Sequence, residues 1–300
     1  MIRFIILLFL LSLTSNALSL TNQQLEQRLF LAAQKGNIKE VKDLIPKVRK
    51  PLSLSTPVAI DTARSLVNCS YRNNNQLDIL KLLSDNGVDF NIASPSRDAL
   101  TVNSQCRPNK KAFNNTDLMA QDNTIEIAKF LIENGANPKR RPSHSPNEVG
   151  LSALAIAILR ENEPLAIYLA KYSDVTKRDI ELAMHRHMEK LVLTLIDGGI
   201  DYAKYPFIKW AINNSLNDMR HTNVLIALFN KGIDPNNFII YQDFYEHPII
   251  YAAYTNNLSA IKTLILYGAK TDVTDSNGRS VMDIAIKEKN HALIEYLGTL

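Results

Sequence analysis

The chain has 300 residues, of which 46% are hydrophobic and 21% charged, and its formal charge is +4. This is the composition of an ordinary folded protein. Its Lys and Arg are interspersed with nearly as many Asp and Glu, which argues against a nucleic-acid binder with its cations gathered on one face. Two cysteines, Cys69 and Cys106, are too few for a metal framework.

The first element is an apolar run, Phe4–Leu13, behind Arg3 and ahead of Ser15-Asn16-Ala17. It is about half the ~20 residues needed to span a bilayer. Small residues at 15 and 17 suit a leader-peptidase site. Residues 1–17 are expected to be a secretory signal peptide, with the mature protein exported, periplasmic or secreted, and without a membrane span. In an oxidising compartment an even pair of cysteines invites a disulfide, here Cys69–Cys106. The chain is rich in Asn, which reads as a compositional habit. Its four Asn-x-Ser/Thr sequons, at Asn68, Asn114, Asn213 and Asn257, carry little weight in so Asn-rich a chain.

From residue 22 onward the chain predicts short paired helices. "LAAQKGNIKEVKDLI", Leu31–Ile45, is two amphipathic segments joined at Gly36-Asn37, with Leu31, Ala32, Val41, Leu44 and Ile45 expected to face later units. The second half of this pattern returns as "LDILKLLSDNGVDFN", "IEIAKFLIENGANP", "NEPLAIYLAKYSDV", "MEKLVLTLIDGGIDY", "TNVLIALFNKGIDPN", "NLSAIKTLILYGAKTD" and "NHALIEYLGTL". Most of these helices end at a Gly, the residue that most readily adopts the left-handed cap. Gly199, Gly232 and Gly268 are 33 and 36 residues apart, whereas Gly87 and Gly135 are 48 apart. That period marks a repeat array in which each unit buries its apolar face only by stacking on its neighbours. Expanded loops fall at about 46–57, 69–76 and 91–123, rich in Pro, Asn and Ser. "ARSLVNC" and "ALTVNSQC" read as first helices that each end at a Cys.

These segments resemble ankyrin repeats, in particular "AAQKGNIKEVKDLI", "LDILKLLSDNGVDFN", "IEIAKFLIENGANP" and "AIKTLILYGAKTDVTDSNGRSVMDIA". The family's Thr-Pro-Leu-His signature survives only as Thr56-Pro57-Val58, His247-Pro248-Ile249 and Ser152-Ala153-Leu154. The resemblance implies an all-α helical solenoid over 22–300, of about eight helix-turn-helix units with short β-hairpin or extended loops between them. It also implies protein binding through hairpin tips and the concave first-helix face. The candidates there are Tyr202, Tyr205, Tyr241, Phe244 and Tyr245 near the hairpins, with Trp210 beside them, and Arg160, Arg186 and Lys209 on first helices.

No catalytic motif occurs: there is no phosphate-binding glycine loop, no His-Glu-x-x-His and no nucleophile elbow. His185 and His187 stand two apart, about 200° around a helix, and so do not share a ligand face. The expectation is a non-enzymatic, monomeric, cofactor-free scaffold that binds an unidentified protein and no nucleic acid. Alternatives are an inhibitor or immunity-type protein against a periplasmic toxin or enzyme, a secreted host-directed effector, or an enzyme with its site in 91–123.

Overall fold

The computed structural model describes residues 21–48, 66–68, 70, 73–90, 98–106, 123–142, 150–200, 207–214, 222–241 and 244–300. The leader at 1–17, Cys69, most of the expanded loops, and Tyr202 and Tyr205 lie outside the described residues. The chain divides into two compact units, Met1–Ile156 and Ala157–Leu300.

In the first unit α1 (Asn22–Gln34) pairs with α2 (Ile38–Leu44), α3 (Gln76–Asp85) follows, and α4 (Ala99–Ser104) pairs with α5 (Thr124–Glu133). The second helices α2, α3 and α5 pack in series. The α4 helix lies within the segment expected to be an expanded loop and ends just before Cys106, as the "ALTVNSQC" reading anticipates. The α6 helix (Ala153–Leu159) runs from the first unit into the second.

The second unit continues with α7 (Glu163–Ala170), α8 (Lys177–His185), α9 (Glu189–Asp197), α10 (Phe207–Asn214) and α11 (Thr222–Asn230). Strands β1 (Ile239–Tyr241) and β2 (Phe244–Glu246) come next, then α12 (Pro248–Tyr254), α13 (Leu258–Leu266), α14 (Val281–Lys287) and α15 (His291–Leu297). First helices α10, α12 and α14 pack in one row, and second helices α7, α9, α11 and α13 in another. The class is the expected one: all-α and helix-turn-helix, with one β-hairpin among the described residues. The hairpin is antiparallel and pairs Ile239 with Glu246, Ile240 with Tyr245 and Tyr241 with Phe244.

One backbone device makes the turn inside most pairs. The last turn of the first helix offers an alanine carbonyl to the N–H five residues further on, in the manner of a Schellman cap. The bonds are Asn37 to Ala32 at 2.9 Å, Asn162 to Ala157 at 2.9 Å, Met188 to Ala183 at 3.0 Å, Asn257 to Ala252 at 2.9 Å and Asn290 to Ala285 at 2.9 Å. Between donor and helix sits a left-handed residue: Gly36, Glu161, His187, Asn256 or Lys289, with φ from 54° to 70°. All five alanines are buried, which explains their recurrence: a small side chain lets the next helix approach.

Asn then begins the second helix. The side chains of Asn37, Asn162, Asn257 and Asn290 accept from the backbone N–H three residues on, at 3.2, 3.2, 2.9 and 3.0 Å. Part of the Asn excess is therefore structural and not a compositional habit, because Asn is among the best N-caps. The first helices use a different cap. Thr21 with Gln24, Asp98 with Thr101, Thr176 with Asp179 and Ser280 with Asp283 form capping boxes, doing locally what the degenerate signature does not.

The core repeats as well. Leu191, Val192 and Leu195 of α9, Val224, Leu225 and Leu228 of α11, and Ala260, Ile261 and Leu264 of α13 occupy equivalent buried positions. Each large aliphatic there contributes about 1.5–3 kcal/mol. Of the opening residues expected to face later units, Ala32, Val41, Leu44 and Ile45 are buried, whereas Leu31 is 54% exposed. Leu31 follows the buried pair Leu29-Phe30 by a step that turns it to the outer side of α1.

Candidate interaction site

The described residues that gather chemistry lie in the second unit, on the first-helix row and the loops above it. The approach to the hairpin is held in place first. Asn236 donates through Nδ2 to the Gly268 carbonyl at 3.1 Å and accepts from the Lys270 N–H at 2.8 Å, which ties one inter-repeat loop to the next. Phe238 is 53% exposed but stacks on His247, with ring centroids 4.4 Å apart. Ile239 is buried.

On the helices, Tyr251 of α12 reaches back to α10. Its hydroxyl donates to Asn213 Oδ1 at 2.7 Å, and Lys209 Nζ stands 5.5 Å from the centre of its ring. Burial lowers the Lys209 pKa. Three residues along α12, Tyr254 reaches forward to the next loop and donates to Asp275. The Asp275 side chain is only 2% exposed and also accepts from the N–H of Asn277, the N–H of Arg279 and the Arg279 Nε, each at 2.8 Å. The Arg279 guanidinium lies 5.5 Å from the Tyr254 ring centre.

The electrostatics follow from these bonds. The Tyr254 hydrogen bond, with the backbone N–H groups of Arg279 and Asn277 and the Arg279 side chain, holds the Asp275 carboxyl far below the usual carboxylate range despite its burial. The same bond works against Tyr254: burial first, then the adjacent carboxylate, push its phenol up to about 12. Glu246, at the end of β2, is raised mainly by burial. Two aromatic–cation pairs on neighbouring repeats result, Lys209 with Tyr251 and Arg279 with Tyr254, each fixed by a hydrogen bond to a third residue.

The expected site residues distribute unevenly over this surface. Lys209 is part of it. Arg160 and Arg186 are exposed but sit at the turns inside their pairs, and Arg186 is committed to Glu161 at 3.3 Å. Tyr241, Phe244 and Tyr245 form the hairpin by their backbones, and their side chains lie outside the described residues. Trp210 is not a surface residue. It is 9% exposed and donates through Nε1 to the Met184 carbonyl at 2.6 Å, anchoring α10 to α8. Cys106 is buried directly after α4. Asn213, Tyr251, Tyr254, Asp275 and Arg279 were not anticipated. The two tyrosines three apart in "PIIYAAYTNN", which share one helix face, were the available signal.

Among known proteins, a putative ankyrin repeat protein of Rickettsia felis is 25% identical over 217 residues, which is 70% of this chain and 45% of that one. The likeness is to an ankyrin repeat protein. The chain thus spans less than half the length of that relative. Two solved ankyrin domains are also similar. That of human ASB11 has a TM-score of 0.46 at 17% identity, covering 76% of this chain and 91% of its own. That of Bcl-3, a member of the IkappaB family, has a TM-score of 0.47 at 16% identity, covering 90% and 97%. No family model matches the chain. No helix among the described residues is long and apolar enough to cross a membrane.

Proposed function

We propose that the chain is a non-enzymatic scaffold in an extracytoplasmic compartment and that it holds a partner protein on the first-helix row of its second unit. The observation that carries this reading is the paired arrangement of Lys209 with Tyr251 and Arg279 with Tyr254. Tyrosine and arginine are enriched at the energetic centres of interfaces. Here both rings are oriented before any partner arrives, so little side-chain entropy is lost on binding. Lys209 is already partly stripped of water, which reduces the desolvation a partner must impose. The hairpin with Tyr241, Phe244 and Tyr245 directly precedes α12 in sequence and is part of the same proposal. Export through the leader at 1–17 and a Cys69–Cys106 disulfide belong to the same proposal, since an oxidising compartment supports both.

The test is affinity capture from the extracytoplasmic fraction of the source cell. Wild-type chain is compared with a Lys209→Ala, Tyr251→Ala double variant, with thermal melting as the folding control. The partner recovered by wild type is expected to fall at least tenfold in the variant at unchanged melting temperature. Equal recovery would remove the site.

A further inference from the structure

The second helices share a reading frame that exposes an anomaly. Six residues before the left-handed glycine that closes each helix stand Lys81, Lys129 and Lys262, ahead of Gly87, Gly135 and Gly268. Five residues after the capping Asn stand Lys42, from Asn37, and again Lys262, from Asn257. All four lysines are exposed. The same position holds Ile167, five after Asn162, Leu193, six before Gly199, and Ile226, six before Gly232. Their helices, α7, α9 and α11, pack side by side in that order. Three half-buried aliphatic side chains therefore stand in line where the other second helices carry a solvated charge, a lysine in four of them and Glu295, five after Asn290, in α15. The α11 helix has no charged residue, and α7 has Glu163 alone.

The surroundings of the line say what would cover it. Thr194, Asn223 and Asn230 flank it on α9 and α11, and Glu163 of α7 and Lys171 at its C-cap stand four residues either side of Ile167, so polar groups interrupt the apolar surface, unlike a lipid face. On α7, α9, α11, α13 and their caps the exposed charges are Lys171, Lys190, Lys231, Lys262 and a single carboxylate, Asp197, 3.2 Å from Lys231. The half-buried Glu163 and Glu189 accept from the Leu191 N–H at 3.2 Å and from Asn223 Nδ2 at 3.1 Å. Packed helices lie about 10 Å apart, and seven residues of a helix advance about 10.5 Å.

We infer that this line docks an acidic amphipathic helix of a partner protein. The helix crosses α7, α9 and α11, places one apolar residue about every seven positions over Ile167, Leu193 and Ile226, and turns carboxylates toward the bordering lysines. This is recognition of an amphipathic helix through regularly spaced apolar anchors. It uses the second-helix row and does not rest on the Lys209–Tyr251 site.

The probe is a fluorescein-labelled synthetic helix of about three heptads, built of Ala and Glu with leucine at seven-residue spacing, beside an isomer with its leucines scrambled. Fluorescence polarisation is expected to show wild type binding the first at least tenfold more tightly than the second. The Ile167→Gln, Leu193→Gln, Ile226→Gln variant keeps every lysine and is expected to lose that preference, while Lys209→Ala with Tyr251→Ala keeps it. Circular dichroism and melting confirm folding, with Ile226→Gln alone as the fallback variant. Equal affinity for the two peptides, or a preference that survives the triple substitution, overturns the proposal. So does binding to phosphatidylglycerol vesicles, or a dimer seen by light scattering, that the triple substitution abolishes, since lipid or a second copy would then be the occupant.

Discussion

Tyr254 faces a carboxylate across its hydrogen bond, and the pH dependence of that contact has a definite sign. Its folded pKa, pushed up to about 12, lies above the ordinary tyrosine value near 10. The protonated phenol is thus stabilised by folding. The contribution is fully present below about pH 10 and is lost as pH rises through about 12. Urea midpoints measured from pH 8 to 12 are expected to fall across that window in wild type. In Tyr254→Phe they should start lower and fall less, and parallel curves would refute the assignment. Asp275 works in the opposite direction: its depressed pKa gives stability that persists above about pH 4 and is lost only in stronger acid. Sequence reasoning singled out Lys209 and passed over Tyr251, the ring it stands against, because it weighed α12 by its alanines. It also placed Trp210 on the surface. A lone indole beside two tyrosines reads as an interface, and the Met184 carbonyl that satisfies it is 26 residues away.

Between elements, the side chain of Asn257 does two jobs. Oδ1 caps α13 by accepting from the Ala260 N–H at 2.9 Å, and Nδ2 donates to the Ile212 carbonyl at 2.6 Å, joining α13 to the preceding repeat's α10. Removing the cap costs about 1 kcal/mol, and a buried polar group deprived of its partner about 1–3 kcal/mol. Asn257→Ala is expected to lower the unfolding free energy in urea by about 2 kcal/mol or more. A loss under about 0.5 kcal/mol would place the bridge outside the stabilising set. The repeat itself was legible because its marks are local: a glycine at a helix end, an Asn at a helix start, an alanine one turn before. The bridges between repeats were not, because Asn236 to Gly268 and Asn257 to Ile212 join residues 32 and 45 positions apart. No local pattern distinguishes a bridging Asn from a capping one. The helix within 91–123 was read from "ALTVNSQC" as a first helix ending at its Cys, and it spans Ala99–Ser104; the Asp98–Thr101 capping box that starts it, four residues long, was not used.

For the whole molecule, the leader and the cysteine pair meet in one measurement. The full-length chain, expressed in a bacterium with an oxidising periplasm, is expected to be recovered outside the cytoplasm. Its intact mass should correspond to a chain beginning at Leu18, lighter by two hydrogens than the same chain after reduction. Retention of Met1 in that fraction would count against the cleaved leader, and an unchanged mass on reduction against the Cys69–Cys106 pairing.

The left-handed residues inside the second unit's helix pairs have a consequence for how it comes apart. Glu161, His187, Asn256 and Lys289 hold φ between 54° and 59° without being glycine. A residue with a Cβ gives up about 1–2 kcal/mol there, so each pair is individually weaker than it could be. Two of the four offset part of that loss across a boundary: Glu161 pairs with Arg186 of the following repeat at 3.3 Å, and Asn256 accepts from Asn290 of the one after its own. In a linear array, intrinsic stability sets where a repeat melts, and nearest-neighbour coupling sets how many melt together. These turns exchange the first quantity for the second. The second unit is biased toward losing its structure as a block, and a bound partner that grips one repeat gains a hold on its neighbours.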